Sequence, residues 1–170
     1  VGREMPNSRH SFAMGSPDAG KASERPQDTL GPPDYSAGSD TNYLTLGCAG
    51  TLVLAFTDNS LVDTPGPDLH VFEIGPYVEP TGLAISEDGV NWIRVGKIEG
   101  GKSAVDIAAF ARSGATYRYI KLVDLKQSCR DYPGADIDAV GAIGSARTIT
   151  LDSAVLFDTG QYVLKEAATS

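Results

Sequence analysis

The stretch Phe56-Thr-Asp-Asn-Ser-Leu-Val-Asp-Thr-Pro-Gly-Pro-Asp-Leu-His-Val-Phe-Glu73 does most to restrict what this chain can fold into. It joins two apolar, strand-like runs by a loop punctuated by Pro65, Gly66 and Pro67. On its N-terminal side Leu52, Leu54 and Phe56 alternate with Thr51, Val53 and Ala55, the period of two of a strand. Leu69 to Ile74 and Gly82 to Ser86 are further strand candidates. Glu87-Asp88-Gly89 supplies a hairpin turn, with Gly89 free to take positive φ. The return strand, Asn91 to Lys97, carries the only tryptophan, Trp92. In Tyr117 to Val123 the residues Ile120 and Leu122 alternate with Tyr119 and Lys121, and Ile137 to Ile143 closes the series. Helical periodicity is weak throughout; Ala104 to Ala111 has room for one helical turn or two. Many short strands divided by turn chemistry predict an all-β chain, a jelly-roll β-sandwich.

At 170 residues the chain is expected to hold one such domain and a tail. Residues 1–22 read as a polar, irregular N-terminal segment, 23–145 as the sandwich, and 146–170 as a linker and the start of something longer. In that last part Thr148 to Phe157 reads as a strand and Asp158 to Ala168 as the opening of a helix. The net charge of −8 repels phosphate backbones, so nucleic acid and anionic membrane surfaces are poor partners. No apolar run approaches the roughly 18–20 residues that span a bilayer, which argues against direct membrane insertion. The opening Val1-Gly-Arg-Glu reads as a mature start, so the lack of a signal segment says nothing against secretion.

Oxygen donors on stiff loops suit a hard cation. Asp58, Asn59, Asp63 and Asp68 share one loop, and Asp136 and Asp138 form a second acidic patch near the end of the domain. Calcium takes six to eight such ligands, and Ca2+ is the expected ion. Zinc fits poorly, because His10 and His70 lie far apart and the cysteines do not cluster. The competing reading is that these Asp and Asn side chains only cap turns. Asp138, flanked by Ile137, Ala139 and Val140, equally reads as a half-buried carboxylate that satisfies backbone amides of a neighbouring loop. Cys48 and Cys129 sit at strand edges beside the acidic loops, as a disulfide or as two buried free thiols. Signals of an extracytoplasmic setting favour the bridge. Tyr35, Tyr43, Tyr77 and Tyr132 fall in loop contexts; Tyr35, Tyr77 and Tyr132 are the candidate ligand-binding residues. Trp92 has two readings, a core plug or a sugar-stacking platform. Catalysis finds little support. His70 has no serine motif beside it, and Glu73, Asp136 and Asp138 cluster in a way that suits a cation better than a glycosidase pair.

Leu83-Ala-Ile-Ser-Glu-Asp-Gly-Val-Asn-Trp92 followed by Tyr117-Arg-Tyr-Ile-Lys-Leu122 resembles the pattern of discoidin-like, galactose-binding-like jelly-roll domains. Leu30-Gly-Pro-Pro-Asp34, Leu46-Gly47, Val62 to Glu73 and Gly134-Ala-Asp-Ile-Asp-Ala-Val140 resemble a bacterial cell-surface branch of that superfamily. Thr64 stands where that pattern often has glycine. The tail Leu156-Phe-Asp-Thr-Gly-Gln-Tyr-Val-Leu-Lys-Glu-Ala167 resembles the opening of OmpA-like domains, which would reach peptidoglycan only through residues further downstream. Together these resemblances imply a non-catalytic, calcium-binding module of the bacterial cell envelope. It would be periplasmic, outer-membrane-associated or at the cell surface, and would serve glycan binding or adhesion. The alternative they leave is a structural spacer for an OmpA-like anchor, with no small ligand other than metal.

Overall fold

The computed structural model describes residues 9–15, 24–38, 41–57, 59–75, 78–126, 129 and 133–146. Three of the predicted site residues, Asp58, Tyr77 and Tyr132, lie outside these, as does the OmpA-like stretch within 147–170.

Among the described residues the strands are β1 (Arg9–Ala13), β2 (Leu44–Thr45), β3 (Thr51–Ala55), β4 (Ser60–Leu61), β5 (Leu69–Glu73), β6 (Thr81–Ser86), β7 (Ile93–Ile98), β8 (Lys102–Val105), β9 (Tyr119–Asp124), β10 (Asp136–Ala142) and β11 (Ser145–Ala146). The only helical piece among the described residues is a single 3-10 turn, Pro26–Thr29. A five-stranded sheet has the order β1-β3-β9-β6-β7, and a four-stranded one the order β2-β10-β5-β8. β11 and β4 pair at one side. All the pairings within these sheets are antiparallel.

The alternation read from the sequence is the alternation of burial. Leu52 and Leu54 of β3, Ile120 and Leu122 of β9, and Leu83 and Ile85 of β6 form the inner face of the larger sheet. Leu44, Leu69, Val71, Val105, Ile137 and Val140 supply the inner face of the smaller one. Apolar side chains from the two faces make one core, the arrangement of a β-sandwich. The hairpin between β6 and β7 forms as expected, with Gly89 at φ +76°. Two details differ from the sequence reading. Part of the N-terminal segment read as irregular is a strand, β1, in register with β3 from Arg9↔Ala55 to Ala13↔Thr51. The segment read as helical turns begins instead with β8, which pairs with the outer side of β5.

Register also fixes which loops share an end of the sandwich. One end holds the close of β5, the start of β6, the close of β9 and the start of β10, since Thr81 faces Asp124 and Ile137 faces Glu73. Cys48 and Cys129 are joined at this end by a disulfide, with Cα atoms 5.1 Å apart. The bridge therefore stands where the sequence left two possibilities. Beside it the backbone runs close: a Cβ added to Gly134, at φ +82°, would lie 2.5 Å from the carbonyl oxygen of Gly47. The opposite end carries the loop 62–68, the start of β5 and residues 106–116.

Candidate functional site

Three places on the sandwich bring chemistry-bearing side chains together. The first is the acidic loop. Oxygens of Asp63, Asp68 and Asp106 lie within 4.8 Å of one another. Asp63 and Asp106 are exposed, while Asp68 is fully buried. Hydrogen bonds explain that burial. Its Oδ1 accepts from the Thr64 amide and hydroxyl, both at 2.8 Å, and its Oδ2 from the Ile107 amide at 3.0 Å. Its own carbonyl oxygen accepts from the amides of Ile143 and Gly144. Asp68 thus holds three segments together through groups that would otherwise be orphaned donors.

The predicted ligand set divides. Asp63 and Asp68 come together, with Asp106 as a third member that the sequence reading missed; its signal was only a lone carboxylate after β8. Asn59 is buried, and neither its amide nitrogen nor its amide oxygen finds a hydrogen-bond partner. Asp136 and Asp138 lie towards the other end of β10, whose far residue Ala142 is the one that faces Leu69. Asp138 takes the alternative role: its Oδ1 accepts from the Asp34 amide at 3.2 Å and so ties down the loop after Leu30. Burial raises its pKa and the amides of Asp34 and Tyr35 oppose that rise. Tyr35 is half-buried, edge-on to Tyr43 with ring centroids 5.8 Å apart.

The second place is the acidic end beside the disulfide. Glu73 and Asp124 continue the inward-facing phase of β5 and β9, so both carboxyls point into the interior. Glu73 accepts from the Glu79 amide at 2.7 Å. Its pKa is pushed up to about 8, chiefly by burial and then by the nearby Glu79 and Asp136. Burial raises Glu79 and Asp136 as well. Asp136 accepts from the Thr45 hydroxyl. Asp124 turns Oδ2 to the amides of Ala49 and Lys126, both at 2.9 Å, while its buried Oδ1 has no partner.

The third place is a cleft of about 670 Å³ beside the β6–β7 hairpin, lined by Glu87, Asp88, Asn91, Trp92, Ile93, Arg112 and Tyr117. Its rim is stiffened from within. The Ser86 hydroxyl donates to the Asn91 carbonyl at 2.6 Å and accepts from the Gly89 amide at 2.9 Å. Asp88 accepts from the amides of Val90 and Asn91 and from the Asn91 side chain at 2.7 Å. Those donors, the Asn91 amide first, hold its carboxyl below the usual range. Arg112 forms an ion pair with Glu87, and its amide donates to the Tyr117 hydroxyl at 2.9 Å. Trp92 is half-buried and lies outside the core cluster, with the Lys121 ammonium 3.8 Å from its ring centroid. Lys121 belongs to the outward-facing phase of β9, so the indole stays on the outer side of the sheet. The core plug, one of its two readings, is not what this tryptophan does.

No protein-family model and no curated protein sequence matches the chain. Solved structures do share its fold. It is similar to a pectin-binding carbohydrate-binding module, at 12% identity over 84% of this chain and 92% of that one, with a TM-score of 0.52. Chitosan-binding module 1 of a chitosanase/glucanase from Paenibacillus sp. IK-5 gives 13%, 82%, 97% and 0.54 for the same quantities. The lectin domain of lectinolysin, solved with Lewis B antigen, gives 9%, 85%, 95% and 0.53. At such identities the likeness is one of fold: the chain has the antiparallel β-sandwich that these carbohydrate-binding modules have.

Proposed function

We propose that this chain is a non-catalytic glycan-binding module of the bacterial cell envelope, with the cleft beside the β6–β7 hairpin as its binding surface. The observation that carries the reading is the lining of that cleft. An indole, a guanidinium–carboxylate pair and an anchored Asp–Asn turn lie side by side in one open depression. A sugar ring offers an apolar C–H face and a rim of hydroxyls, and such a lining meets both. The fold shared with a pectin-binding module, a chitosan-binding module and a lectin domain solved with Lewis B antigen supports the glycan class. The disulfide supports an oxidising compartment. A calcium ion at Asp63, Asp68 and Asp106 is part of this reading. With Asp68 already accepting three hydrogen bonds, its affinity is expected at the weak, extracellular end, about 10⁻⁴–10⁻³ M.

Binding of the intact chain to an array of uronic-acid, amino-sugar and fucosylated oligosaccharides tests the proposal. The expected result is retention of at least one class, weakened about ten-fold or more by Trp92→Ala, which is a loss of about 1.4 kcal/mol. Absence of binding to all classes, or binding unchanged by Trp92→Ala, refutes it.

A further inference from the structure

Buried charge needs an explanation wherever it occurs, and at the loop end of the sandwich hydrogen-bond donors supply one. At the disulfide end the supply is thinner: one amide donates to Glu73, and the two that serve Asp124 share a single oxygen. Glu73 and Asp124 are each more than nine-tenths buried, and they project inward from opposite sheets at the same end. Glu79, on the connection between β5 and β6, brings a third carboxyl against Glu73. Among the described residues no arginine or lysine forms an ion pair with any of the three. Asp136 adds a fourth negative group nearby, engaged with Thr45. A carboxylate removed from water without a counter-charge is costly enough to take up a proton or a cation instead.

The unpartnered oxygen of Asp124 points to the cation. Its other oxygen is occupied by two backbone amides, which orient the carboxylate, yet among the described residues Oδ1 is buried without a hydrogen-bond partner. The Leu125 amide donates to the Pro80 carbonyl, so the carboxylate with the free oxygen lies beside the segment that carries Glu79. Thr81, buried and paired in register with Asp124, adds a neutral hydroxyl oxygen. Three carboxylates and a hydroxyl, completed by backbone carbonyls or water, are a hard-oxygen set of the kind calcium takes. The three carboxyls are more widely spread than the trio at the loop end, since only that trio falls within 4.8 Å. Glu73 and Glu79 are close enough to hydrogen-bond through their side chains, so without an ion that pair holds a proton, and their length gives them the reach to close on Asp124.

We propose that Glu73, Glu79 and Asp124 form a second divalent-cation site, selective for calcium, at the disulfide-bridged end of the sandwich. It is separate from the loop cluster and from the glycan cleft. An ion there joins both sheets at the end already fastened by Cys48–Cys129.

Thermal unfolding and titration calorimetry with calcium chloride alone, on the intact chain, test it. The wild type and Asp63→Ala should both gain at least several degrees in melting temperature at millimolar calcium. Glu73→Gln and Asp124→Asn should lose most of that gain. Glu73→Gln replaces a buried acid by a neutral group of the same shape, so in chelator it should melt at or above the wild type. If Asp124→Asn fails to fold, Glu73→Gln decides the matter by itself. A calcium response kept in Glu73→Gln but lost in Asp63→Ala overturns the proposal and leaves the ion at the loop cluster. No response in the wild type overturns both ions, while the glycan array tests the binding surface independently.

Discussion

Replacing Asp68 by alanine separates its role as a clamp from any role as a metal ligand. The side chain accepts from the Thr64 amide, the Thr64 hydroxyl and the Ile107 amide, and Ile107 is itself fully buried. Hydrogen bonds to a charged group contribute about 1.5–3 kcal/mol each, and a buried donor left without an acceptor carries its desolvation cost. The three share one carboxylate and are not additive. A loss of about 3–5 kcal/mol is expected, against a typical domain stability of about 5–15 kcal/mol. For a domain of this size that is a fall of roughly 10–20 °C in melting temperature. The assay is urea unfolding and a thermal scan, both in chelator, with Asp68→Asn alongside; the amide keeps one acceptor and should lose about half as much. A loss under about 1 kcal/mol in chelator would refute the reasoning, because the two amides would then have found other partners. A loss seen only with calcium present would make Asp68 a ligand and nothing more.

Replacing both Cys48 and Cys129 by serine opens a loop spanning 81 positions, for which loop-closure entropy gives a loss of about 4–5 kcal/mol. Urea unfolding midpoints of the variant and of the reduced wild type should agree. A third expectation concerns pH. In chelator, Glu73 in the folded chain holds its proton up to about 8, where the unfolded chain releases it near 4.5. Stability from this group is therefore complete below about pH 4.5 and is lost as pH rises towards 8. Melting temperature should fall across that window in the wild type and stay flatter in Glu73→Gln; parallel profiles would refute the assignment.

Much of the framework could be read from apolar periodicity, because these strands bury one face. β3, β6 and β9 follow the alternation of Leu52 and Leu54, of Leu83 and Ile85, and of Ile120 and Leu122. β1 escaped notice because it is an edge strand whose Arg9-His-Ser-Phe-Ala13 offers only one large apolar residue, and its place is set by pairing with β3. The same strand logic hid the acidic end. Glu73 and Asp124 occupy inward positions by phase, but in the sequence each looks like the polar residue that ends a strand. A loop dense in Asp, Pro and Gly drew attention to residues 58–68, yet Asp106 reaches that cluster from far along the chain, a meeting that only the fold creates. Trp92 was ambiguous because a tryptophan after a tight turn has both faces of the sheet open to it; Lys121 on the outer face settles which one it takes.

The covalent bridge also determines how the module would answer a pull. If it is tethered along its chain, tension passes from Cys48 to Cys129 through the two sulfurs and bypasses everything between them. At about 3.3–3.6 Å per residue, roughly 270–290 Å of contour stays out of reach of the load. That shielded loop contains β3 to β9, with Trp92, Asn91 and Arg112 on it, whereas β1, β2, β10 and β11 lie on the strained path. Traction would strip those four strands first and leave the segment that carries the cleft unable to lengthen, so the bridge sets a ceiling on how far a loaded module can extend.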